Sequence, residues 1–112
     1  MLAGSAGYLL EALRVGCVGG VCGLADAAPE LVCQLYQSFH QQCALHELTR
    51  LQQRLVAPNT ALTRTYGVAG LKQAMDWLGY SGGPTRSPLM PLTTDARDDL
   101  KKILVGANML DA

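Results

Sequence analysis

The chain is 112 residues long, about one domain, and sets 9 Lys plus Arg against 9 Asp plus Glu for a formal charge of zero. With no basic block longer than Lys101-Lys102, it offers no electrostatic footprint for a polyanion, which excludes nucleic acid and acidic membrane surfaces as expected partners. Hydrophobic residues make up 49% of the chain. No uninterrupted apolar run approaches the roughly 18 to 20 residues of a bilayer span, so a soluble chain is expected.

In chain order, "MLAGS" is a short apolar segment ending in Gly4-Ser5, and "AGYLLEALRVG" carries Tyr8, Leu9, Ala12 and Leu13 at helical spacing. "CVGGVCGLAD" is a Gly-punctuated apolar run too short for a helix. Strand, helix, strand is the expected order, which is the βαβ unit with parallel strands covered on both faces. Glu11 precedes the first Arg, and no cationic leader stands ahead of an apolar core. The stretch therefore fits neither a secretory signal nor an Arg-rich transit peptide.

After Asp26 the pattern is wholly helical. Asp26 is a candidate N-cap, with Pro29 in the first turn of a helix to about Cys43 whose Leu31, Val32, Leu35, Tyr36 and Phe39 form one stripe. A second helix, about Ala44 to Tyr66, carries Leu45, Leu48, Leu51, Leu55 and Leu62; Pro58 within it removes a backbone donor and should kink the path. A third runs from Gly67 to near Gly79, with Leu71, Ala74, Met75 and Leu78 on one face. The connector "YSGGPTRSPLMPL" should be extended, because Pro84, Pro88 and Pro91 each push the preceding residue away from the helical region. Thr93 or Thr94 should cap a last helix carrying Leu100, Ile103 and Leu104, with a frayed tail from Gly106.

Cys17, Cys22, Cys33 and Cys43 match neither a paired zinc spacing nor a redox motif, and buried, reduced thiols are expected, favouring an intracellular or organelle-matrix setting. His40, Cys43 and His46 could line one helical side, but a break near Cys43 and the want of a fourth ligand argue against a metal there. "GCVGGVCG" lacks the Lys-Ser/Thr ending of a phosphate loop. Asp76 is expected to be a surface or capping carboxylate, and Arg86 to make a structural hydrogen bond or ion pair. Two parallel strands alone leave both edges unpaired, so the pattern reads as the end of something larger.

The ordered blocks "LAGSAGYLLEAL", "GCVGGVCGLAD", "CQLYQ" and "APNTALTRTYGVAGLKQAMDWLGYSGGPTRSPLMPL" resemble the C-terminal part of the dihydrodipicolinate synthase and N-acetylneuraminate lyase family, from Leu2 to about Leu104. Within it they are most similar to the mitochondrial-type 4-hydroxy-2-oxoglutarate aldolases. The resemblance implies an α/β fold: residues 1–43 as the last two parallel-strand βα units of a (β/α)8 TIM barrel, and 44–112 as a helical extension. Alone, such a chain is mostly helical. It also implies a class I aldolase, in which a lysine forms a Schiff base with a keto acid. The reaction would be cleavage of 4-hydroxy-2-oxoglutarate to pyruvate and glyoxylate in mitochondrial hydroxyproline breakdown, by a homotetramer needing no cofactor or metal.

The family's imine lysine and tyrosine relay have no counterpart here. Lys72, Lys101 and Lys102 sit in helical segments rather than at an apolar strand end. Two positions do match family contacts with the keto acid: Gly4, after the seventh strand, and Val21, of the eighth. Ser5 is a weaker substrate contact. Without the resemblance Gly4 reads as a turn glycine, Val21 as core and Ser5 as a helix cap. Three functions are weighed: a catalytically incomplete aldolase fragment, a non-catalytic truncated isoform docking on full-length subunits, and an unrelated helical domain.

Overall fold

A computed structural model describes residues 1–110. Strand β1 (Leu2–Ala3) leads through one 3-10 turn (Ala6–Tyr8) into α1 (Leu9–Arg14), and β2 (Gly19–Gly20) follows. The strands are parallel, with Leu2 opposite Gly19 and Ala3 opposite Gly20. This is the expected βαβ unit. Gly20 is required by close approach: a Cβ there would lie 3.0 Å from Cys22 Sγ, 3.1 Å from the Ala3 carbonyl and 3.3 Å from Leu9.

Helices α2 (Leu24–Ala27), α3 (Pro29–His40), α4 (Leu45–Thr60), α5 (Gly67–Trp77) and α6 (Thr94–Gly106) complete the chain. Asp26 is not an N-cap, because it lies inside α2 and the cap of α3 is Ala28. The cause is Pro29, which holds Ala28 at φ −136° and ψ 61°, outside the helical region, and so separates two helices. Pro29 itself opens α3 as expected.

Helix α3 stops at His40, not Cys43. Gln42 turns left-handed at φ 57°, and the Cys43 N–H donates back to the Ser38 carbonyl at 3.1 Å. The same closure ends α1 with Gly16, α5 with Gly79 and α6 with Asn108, through Cys17 to Ala12, Tyr80 to Met75 and Met109 to Leu104. Pro58 is buried inside α4, and the helical path changes pitch just beyond it into one π turn, Ala61–Thr65. Thr93, of the two threonines, caps α6, its Oγ1 accepting from the Ala96 N–H at 3.2 Å.

One apolar core runs from Ala3 to Leu104. Leu9, Leu24, Leu35, Leu55, Leu62, Leu100 and Leu104 are its fully buried anchors, drawn from segments on both sides of position 43. The tail is not frayed through 110, since Met109 and Leu110 fold back against this core. Among the described residues no helix is long and apolar enough to cross a membrane.

Candidate functional site

The sheet is only two residues deep, yet it brings two of the expected site residues together. Gly4 and Val21 each follow the last paired residue of a parallel strand, and the Val21 N–H donates to the Ala3 carbonyl at 2.8 Å. They are neighbours at the C-terminal end of the sheet. Val21 is 71% exposed, so its side chain is not core in this structure.

Ser5 does what a capping hydroxyl does. Its Oγ accepts from the Gly7 N–H at 3.1 Å, opening the 3-10 turn, and also from Asn59 Nδ2 at 3.2 Å. Asn59 comes from the far end of α4 and is buried. Seven residues earlier on the same face, Gln52 takes the Leu10 N–H on Oε1 and gives Nε2 to the Ala6 carbonyl, both at 2.8 Å. Sequence reasoning passed over both amides, whose partners are backbone groups and one hydroxyl some 42 to 54 positions away. Seven-residue spacing of polar side chains on a leucine-striped helix was the available signal.

Tyr8, read from the sequence only as part of a helical stripe, also lies at this strand end. A Cβ built on Gly4 would stand 3.4 Å from its phenol oxygen, so the hydroxyl lies directly over the strand-end glycine. Tyr8 is half exposed, and its hydroxyl has no hydrogen-bond partner among the described residues.

The lysines lie elsewhere. Lys72 on α5 donates Nζ to the Gly82 carbonyl at 3.0 Å, and Lys101 and Lys102 are exposed on α6. Asp76, one turn beyond Lys72, accepts the Gly82 N–H at 2.7 Å. The pair therefore grips both polar groups of one residue, and a Cβ at Gly82 would run into the Lys72 backbone carbonyl. Asp76 is thus structural, as expected. Arg86 is exposed and its side chain makes no hydrogen bond or ion pair among the described residues, contrary to expectation. The connector is held through Gly82 and through Thr85 Oγ1, which donates to the Leu89 carbonyl at 3.0 Å.

The four cysteines are free thiols, but not buried ones: Cys33 is exposed and the others are half-buried. Cys17, Cys22 and Cys43 lie in connecting segments rather than in helices or strands, and Cys33 lies on α3. Desolvation raises the Cys22 thiol above its ordinary range. His40 is stacked edge-on against Tyr36 and Phe39, and no group of three His, Cys, Asp or Glu among the described residues is arranged to hold a metal.

Residues 1–107 match the dihydrodipicolinate synthetase family. The chain belongs to that family. It is 39% identical over 110 residues to an uncharacterised DapA-like lyase of Halobacterium salinarum, covering 97% of this chain and 36% of the relative. It is 30% identical over 110 residues to the 4-hydroxy-tetrahydrodipicolinate synthase of Gluconacetobacter diazotrophicus, covering 98% and 37%. Among solved structures, the dihydrodipicolinate synthase of Cyanidioschyzon merolae with lysine bound superposes at TM-score 0.86 and 25% identity, over 97% of this chain and 37% of that one. A dihydrodipicolinate synthase-like protein of Thermus thermophilus superposes at 0.78 and 32% identity, over 94% and 36%. The chain thus spans a little over a third of the length of these family members, and over that third it shares their fold.

Proposed function

We propose that this chain is the C-terminal part of a class I aldolase of the dihydrodipicolinate synthetase family, with its last two barrel strands within 1–43 and a helical extension over 44–112. The observation that carries the reading is that Gly4 and Val21 each directly follow the last paired residue of two adjacent parallel strands, at their C-terminal ends. In a (β/α)8 barrel the chemistry gathers at that end of the strands. A parallel sheet of two strands needs neighbours on both edges, and family members nearly three times as long have the chain to supply them. The reaction proposed is cleavage of 4-hydroxy-2-oxoglutarate to pyruvate and glyoxylate through a lysine imine. Lys72, Lys101 and Lys102 occupy other settings, so the imine lysine belongs to the part of the protein outside these residues.

The test uses the complete polypeptide that contains this sequence, supplied with 4-hydroxy-2-oxoglutarate. Pyruvate and glyoxylate released in equal amounts are the expected result; the absence of glyoxylate release would reject the aldolase branch. On the same reading the complete protein is a mitochondrial homotetramer. A second reading follows from Leu2, Val18 and Val21, which leave the sheet and its rim exposed and apolar. A 112-residue product would then be a non-catalytic isoform docking on longer subunits, and failure to comigrate with them on gel filtration would reject it.

A further inference from the structure

Ala6 and Leu10 are four residues apart, the separation at which an α-helix bonds a carbonyl to an N–H. Here the side chain of Gln52 stands between them. Its Oε1 accepts the Leu10 N–H and its Nε2 donates to the Ala6 carbonyl, both at 2.8 Å. An N–H can only donate and a carbonyl can only accept, so these two backbone partners fix the orientation of the amide. The Ala6 carbonyl also accepts the Leu9 N–H, three residues on. The segment Ala6–Tyr8 is thus a 3-10 turn, and α1 starts only at Leu9.

The inserted amide sets a length. A 3-10 turn rises about 2.0 Å per residue against about 1.5 Å in an α-helix, so converting three residues draws the chain in by about 1.5 Å. Leu9, Leu10 and Leu13 hold α1 in the core, whereas Gly4 is exposed and Ser5 half-buried. A change of pitch over Ala6–Tyr8 therefore falls on Gly4 and Ser5, which join the turn to β1. The amide is also hard to replace. Asparagine is one methylene shorter, and a glutamate carboxylate accepts the Leu10 N–H but has no hydrogen for the Ala6 carbonyl.

We propose that Gln52 is a positioning residue: its amide, carried by α4, is inserted into the first turn after β1, keeps that turn in its 3-10 form and so fixes where Gly4 stands. That Gly4 serves a reaction rests on the function proposed above; the insertion rests on the two hydrogen bonds alone.

The experiment compares wild type with Gln52→Met, which fills similar space but makes neither bond, and with Gln52→Glu, which keeps the Leu10 bond and so keeps the test open if Gln52→Met does not fold. In the isotopically labelled 112-residue chain, the Cα resonances of Ala6, Gly7 and Tyr8 are expected to move toward α-helical positions in both variants. Resonances that stay in place would overturn the proposal. In the complete polypeptide, both variants should lower kcat/KM for 4-hydroxy-2-oxoglutarate by about 100-fold, the scale of a misplacement of about 1 Å. Leu55→Ala, destabilising on the same helix, should keep kcat/KM when assayed below its melting temperature. Equal losses in Leu55→Ala and Gln52→Met would show an amide that only stabilises, and would overturn the positioning role. A turn that shifts in a polypeptide whose wild type releases no pyruvate would reject the proposed reaction while upholding the insertion.

Discussion

Gly82 is gripped by Lys72 and Asp76 so closely that no side chain fits between its backbone and α5. Gly82→Ala should cost about 1–3 kcal/mol by overpacking against the Lys72 carbonyl, read as a lower urea midpoint with an unchanged slope. Tyr66 donates to Asp99 Oδ2 at 2.6 Å, and this bond, with smaller contributions from desolvation and the carboxylate's charge, raises the phenol above its ordinary value of 10.0. A folded value above the unfolded one means that the stabilising contribution is complete below about pH 10 and is lost as pH rises through the folded value. The absorbance difference at 295 nm between the wild type and Tyr66→Phe should therefore have its midpoint above 10. Among the thiols, exposed Cys33 should react first with an aromatic disulfide reagent and Cys22 lag, since the thiolate is the reactive form and burial raises the Cys22 thiol. At this scale the sequence was legible at Asp76, a carboxylate near a helix end whose surface role is met by the Gly82 N–H. It misled for Arg86, which is exposed and finds no side-chain partner among the described residues, and for Cys33, whose apolar surroundings in sequence are not its surroundings in space.

Gln52 and Asn59 join the helical segment to the βαβ unit, so α4 governs how the strand ends are presented. Gln52→Ala would leave the Leu10 N–H and Ala6 carbonyl without their partner and should destabilise by about 2 kcal/mol. Leu55→Ala, at a fully buried position of the same helix, should cost about 2–5 kcal/mol through the cavity it opens, and chemical denaturation orders the two. Helix existence was readable from apolar spacing in every long helix. Helix ends were readable where glycine marks the left-handed residue, at Gly16 and Gly79, and unreadable where Gln42 and Asn108 take that conformation. There, tertiary packing of Cys43 and of Met109 overrides the intrinsic preference. The split of α2 from α3 was available in principle, because a proline restricts the residue before it, but Asp26 supplied a competing and wrong start signal.

The molecule as a whole joins a two-residue parallel ladder to a large helical core. The open ladder is the feature that the sequence conveyed well: two apolar Gly-rich runs flanking a helix imply parallel strands, and two such strands imply neighbours. What it could not convey is how residues 44–110 are joined to the strand ends, since that runs through one buried amide, Asn59, and one half-buried amide, Gln52, rather than through periodicity. On the function proposed above, this chain carries strand-end substrate contacts of a Schiff-base lyase but not its imine lysine. Borohydride trapping with pyruvate, followed by peptide mapping, tests it on the 112-residue chain and on the complete polypeptide side by side. The predicted result is a reduced pyruvyl adduct in the complete polypeptide alone, on a lysine outside these 112 residues; an adduct on Lys72, Lys101 or Lys102 would contradict it.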